Sequence, residues 1–201
     1  MWYARHVVTP PLWLPYKSSS PLLESIPITI PLSNTAPDMH VNSEEAIRRL
    51  YAYRDAYAAS ITKDNFDYRL WQTVKVLSAS FDSTQLVGKA TFTLDIPSKY
   101  HNAAGDVHGG AIATLLDGFT SSMIGLAARK GFWQDGGTTR NLSVAYIRPV
   151  KAGDKVIVEC EMVHLGDRLA TIRATMKRQS DGKALAMCLQ EKFSSTPRAR
   201  L

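Results

Sequence analysis

Two cysteines in 201 residues are too few for a disulfide framework, and the simplest reading is a chain of a reducing compartment. The five histidines and two cysteines show no metal-ligand spacing, so no metal is expected. There is no long basic run and no zinc-finger, RRM or basic-zipper pattern. The net charge of +6, from 24 Lys+Arg against 18 Asp+Glu, therefore does not read as a nucleic-acid footprint and leaves small anionic ligands open. No uninterrupted apolar stretch follows the start, which argues against a secretory signal. A hydrophobic fraction of 45% excludes a chain disordered throughout, and no internal repeat is present.

What is present is unevenly spread. Residues 1–41 carry seven of the ten prolines and only four charges, Arg5, Lys17, Glu24 and Asp38. Each proline fixes φ and removes a donor, so this stretch reads as an extended arm. Residues 42–70 read as a helical segment, opened by the capping-box pattern Asn42-Ser43-Glu44-Glu45 and continued by an apolar stripe to about Ser60. Residues 71–195 form the main domain and 196–201 a short tail. Within the domain, 71–81 and 86–96 alternate as strands, 108–128 is a long apolar helix, and 138–148, 155–164, 168–178 and 183–193 are strands. Leu165-Gly166-Asp167 and Ser180-Asp181-Gly182 supply hairpin turns. One helix among antiparallel hairpins predicts an α+β layer structure.

The helix from Gly109 to Ala128 contains one formal charge, Asp117. Asp117-Gly118 and several hydroxyl residues argue against a membrane span. An unpaired buried carboxylate is costly, so Asp117 caps neighbouring backbone or serves a cleft as general base or nucleophile. His108-Gly109-Gly110 stands where the helix begins. Free N–H groups and the positive dipole end there suit a developing oxyanion, and glycine admits close approach. An ordinary glycine-rich helix start is the plain alternative. Asn102, in a polar loop, is by itself a turn residue. Cys160 and Cys188 lie in strands at apolar-alternation positions and read as buried packing residues.

Asn102, His108-Gly109-Gly110 and Asp117, with Asn six residues before the His and Asp nine after it, resemble a known pattern. With Gly137 to Pro149 added, the stretch resembles the hotdog-fold acyl-CoA thioesterases of the phenylacetate-degradation and thioesterase-superfamily-member-2 type. That resemblance implies an antiparallel sheet wrapped around one long central helix. Asn102 and the Gly109 N–H would polarise a thioester carbonyl, and Asp117 would activate water or attack directly. Thr139 stands where this family commonly has a serine that places the water, and His108 would orient the loop or contact substrate. Gly110, Tyr146, Arg148, Lys151, His164 and Arg168 fall at substrate-binding positions, the cations facing the phosphates of coenzyme A. Coenzyme A is then part of the substrate, and no cofactor is expected.

The family also implies a homodimer sharing its sites, paired again into a homotetramer. The thioester donor is an acyl-CoA in lipid metabolism, or an acyl-carrier protein in polyketide or secondary metabolism. A non-catalytic acyl-CoA-binding hotdog is the rival reading. The expected compartment is the cytoplasm, or the peroxisome if Ala199-Arg200-Leu201 acts as a variant of its C-terminal address.

Overall fold

The computed structural model describes residues 40–41, 43–151 and 153–194. The arm before His40, the cap residue Asn42 and the tail with Ala199-Arg200-Leu201 lie outside the described residues. The elements run β1 (His40–Val41), α1 (Ser43–Ser60), α2 (Tyr68–Trp71), β2 (Lys75–Asp82), β3 (Val87–Asp95), α3 (Gly109–Ser122), β4 (Thr138–Tyr146), β5 (Lys155–Leu165), β6 (Leu169–Arg178) and β7 (Ala184–Phe193). Among the described residues they build one antiparallel sheet in the order β1-β2-β3-β5-β6-β7-β4, with α3 laid across its concave face. This is the hotdog arrangement.

Strand alternation aims Ala90, Phe92 and Leu94 of β3, Val156 to Met162 of β5, and Ile172 to Met176 of β6 at the helix. They meet Ile112, Leu115, Leu116 and Phe119 of α3, all buried, and Phe92 lies 4.9 Å from Phe119 between ring centroids. Each such side chain contributes about 1.5–3 kcal/mol on leaving water, which makes α3 the keystone of the core. No helix among the described residues is long and apolar enough to cross a membrane. The helix is also shorter than 108–128: it turns 3₁₀ at Met123–Leu126.

Two segments depart from the alternation reading. Trp71, expected to open a strand, instead ends α2 and is buried against α3. An indole stacked edge-on to Phe119 at 5.6 Å and donating from Nε1 to Asp67 at 3.0 Å buries more apolar surface than a strand position would. His40–Val41, expected within the arm, pairs with Phe81 and Asp82 of β2.

The fit of Trp71 depends on Gly118. A β-carbon on Gly118 would stand 2.1 Å from Trp71 Cζ2. Gly118→Ala gains about 1 kcal/mol of helix propensity. It must, however, displace a rigid ring from a filled core, which costs about 1–3 kcal/mol or more. The clash prevails, and a thermal melt should show Tm lowered by several degrees.

α1 is held against this core by Arg49, which bonds Glu45 at 2.9 Å and the Leu126 carbonyl at 2.8 Å. At the far edge, β4 has β7 on one side and no strand on the other among the described residues.

Candidate active site

Asp117 lies midway along α3, half-buried, on the wall of a cavity of about 410 Å³. Tyr53, Tyr57 and Trp71 from α1 and α2 close one side of that cavity. Asp117, Ser121, Thr139 and Lys192 form the other. The Asp117 Oδ1 atom accepts hydrogen bonds from Thr139 Oγ1 at 2.9 Å and Gln190 Nε2 at 2.8 Å. Its Oδ2 atom has no hydrogen-bond partner among the described residues. One oxygen is anchored and the other is left to serve a ligand.

A β-bulge places Thr139. Register shifts between Thr139 and Asn141, so Arg140 is the extra residue. The bulge reverses side-chain parity, and Thr139 and Leu142 both turn inward. Thr139 pairs directly across the strands with Lys192.

The aromatic wall is polar at its edges. Tyr57 donates to Asp67 Oδ2 at 2.5 Å, beside the Trp71 bond to the same oxygen. Burial, followed by the negative charges of Asp117 and Asp135, pushes the Tyr53 hydroxyl well above its usual range. Burial and the bond to Asp67 do the same for Tyr57. Burial also pushes the Cys188 thiol up to about 11. Both phenols and this thiol are neutral donors at physiological pH, not nucleophiles.

The start of α3 presents the second feature. His108 caps the helix, its Nδ1 accepting from Gly110 N at 3.0 Å, while its carbonyl takes the Ala111 and Ile112 amides. Gly109 N–H is left as the unpaired first-turn donor. The Gly109 carbonyl accepts from Tyr146 at 2.9 Å. A β-carbon on Gly109 would meet only ordinary contacts at 3.5–3.6 Å, so nothing in this chain itself demands glycine there. Asn102 is exposed, and its side-chain oxygen accepts from Ala104 N and Asp106 N, which leaves the Nδ2 donor for a ligand. Lys151 pairs with Asp106 at 2.7 Å and ties the next loop to this one.

The structure therefore gathers the expected residues into two clusters. Asn102, His108, Gly109, Gly110, Tyr146, Arg148 and Lys151 stand at the α3 start, beside the end of β4. Asp117 and Thr139 stand at the beginning of β4. His164 and Arg168, on the β5–β6 hairpin, lie near that second end, because Leu169 and Thr138 both pair with Phe193. Arg148 donates to the Ala184 carbonyl, and Arg168 lies over the Phe193 ring. Gly109 and Asp117 are eight residues apart, about 12 Å along the helix. The two ends of β4 are about 27 Å apart.

Gln190 and Lys192 were not expected at the site, and both are almost wholly buried. Their signal was available: alternation from the inward Cys188 sends Gln190 and Lys192 to the same face. Two polar residues on a core face are unusual enough to mark a site.

Residues 104–185, less than half of the chain, match the family model of the thioesterase superfamily. An esterase-named protein of Caenorhabditis elegans is 31% identical over 91 residues, covering 45% of this chain and 52% of that protein. The chain thus spans about half the length of that relative. Acyl-coenzyme A thioesterase 13 of Homo sapiens is 25% identical over 127 residues, 58% of this chain and 88% of the relative. Among solved structures, zebrafish thioesterase superfamily member 2 superposes with a TM-score of 0.59 at 23% identity, covering 72% of this chain and 96% of that one.

Proposed function

We propose that this chain, a hotdog protein of thioesterase type, hydrolyses acyl-CoA thioesters to a free acid and coenzyme A. The observation that carries the reading is Asp117, a carboxylate with one oxygen anchored and the other facing an aromatic-walled cavity. The matched thioesterase model and the name of the human relative support the reaction class and the coenzyme A ester.

In this reading the Asp117 Oδ2 atom takes a proton from a water molecule. The water oxygen attacks the thioester carbonyl carbon, and the negative charge moves to the carbonyl oxygen. Gly109 N–H and Asn102 Nδ2 hold that oxyanion. The C–S bond then breaks, and the departing thiolate takes up the proton. Thr139 holds Asp117 in place, and the acyl group fills the cavity between α1 and α3.

One chain cannot bring these parts together, since donor and base must both lie within about 3 Å of the reacting group and Gly109 lies about 12 Å from Asp117 along the helix. A second copy resolves this. Two β4 edges paired antiparallel about a two-fold axis set the end of one strand against the beginning of the other. Gly109 and Asn102 of one copy then face Asp117 of its neighbour. The same operation brings His164 and Arg168 beside the neighbour's Arg148 and Lys151, where the phosphates of coenzyme A would lie.

Thiol release from acyl-CoAs and the matching acyl-pantetheines tests the reading, with turnover of the CoA esters expected. No thiol release from any thioester overturns it. Arg168→Ala should raise KM about tenfold for the CoA ester, the value of one charge-assisted hydrogen bond, and leave the pantetheine ester unchanged.

A further inference from the structure

Lys192 is the least expected residue of the cavity. Its side chain is buried on the inward face of β7, where a desolvated ammonium is strongly disfavoured unless its protons are taken. Nζ donates to Ser121 Oγ at 2.9 Å and reaches Thr139 Oγ1 at 3.5 Å. The Gln190 amide nitrogen approaches the same two hydroxyls at 3.1 and 3.0 Å.

An ammonium and an amide nitrogen can only donate. With both aimed at the Thr139 oxygen, the single Thr139 proton is left to point at Asp117 Oδ1. The geometry points to Lys192 as a positioning residue that aims the Thr139 proton at Asp117 Oδ1. This rests on the role given to Asp117 above.

The ionisable groups around the carboxylate are Tyr53 and Tyr57 of α1, Asp67, Asp135, Cys188 and Lys192, with Arg54 on the same cavity wall. Arg54 is engaged by Asp55 at 2.6 Å. Lys192 is thus the cation joined to Asp117 through a hydroxyl. Burial lowers its affinity for a proton, partly offset by Asp117 and Asp135. The sign follows: a buried lysine holds its proton less tightly than in the unfolded chain, so its charge opposes folding at neutral pH.

Lys192→Met in the full chain separates this role from a structural one. Expected are a Tm at or above that of the unaltered chain, kcat lowered at least about tenfold and KM within about twofold. In a Thr139→Val background the same change should add no further loss, because the relay is already gone. Unaltered kcat overturns the proposal, as does a variant that fails to fold, which would make Lys192 a structural strut. If the unaltered chain turns over no thioester, it is the functional reading that fails. The Thr139 hydroxyl proton, followed by NMR, then decides the Lys192 proposal without turnover: loss of its exchange protection on Lys192→Met supports it, and unaltered protection overturns it.

Discussion

Asp117→Asn is expected to lower kcat for thioester hydrolysis by about a hundred- to ten-thousandfold, the range general-base catalysis supplies, with little change in KM. The substitution is nearly isosteric. The asparagine oxygen still accepts from Thr139 and Gln190, which hold the native Oδ1 at 2.9 and 2.8 Å. What changes is the other position, where an amide nitrogen replaces the oxygen that takes the proton. Tm should therefore stay within a degree or two, and a melt beside the rate assay isolates the chemistry from the fold. An Asp117→Asn protein that turns over at the unaltered rate would exclude this carboxylate as the base.

Mixing two inactive variants should restore activity. Asn102→Ala removes one oxyanion donor and is expected to cost about a hundred- to a thousandfold by itself. Asp117→Asn removes the base. If each site takes Asn102 from one copy and Asp117 from the other, a mixed dimer has one doubly damaged site and one intact site. Random exchange at equal amounts then regenerates about a quarter of the unaltered sites, far above the sum of the parents. Refolding the variants together, with each refolded alone as control, supplies the measurement. Activity no greater than the parental sum would place the site within a single chain. The 12 Å helical separation of Gly109 from Asp117 makes that outcome hard to reconcile with a single reacting carbon.

Much of the site lay open in the sequence, because its chemistry depends on local pattern. A lone charge in an apolar helix and a glycine pair at that helix's start are visible without tertiary structure. The six main-domain strands were readable from period-two alternation, with boundaries off by a few residues. Lys192 escaped for a different reason. Its inward parity shows only when that of Cys188 is carried two and four residues on, past the apolar flanking residues Met187 and Leu189. Thr139 was placed by resemblance, since the Arg140 bulge breaks the parity that would predict its direction. Trp71 was taken for a strand start because its true partner, the bare backbone at Gly118, is distant in sequence. Tyr53 and Tyr57 belong to the packed face of α1. That they also wall the cavity depends on how α1 crosses α3.

The cavity's two sides come from separable stretches of chain. Tyr53, Tyr57 and Trp71 precede the region matched by the family model, while Asp117 and Thr139 lie inside it. If Asp117 is the base and the cavity holds the acyl group, as proposed, the two roles rest on different stretches of chain. Substitutions along 43–71 can reshape the cavity without touching Asp117 or Thr139, and the two sides meet where Trp71 packs on Gly118 and Tyr53 on Gly125 and Gly136. Under the proposed function, such a chain would change its preferred acyl group through its lining helix alone, with Asp117 and Thr139 left in place.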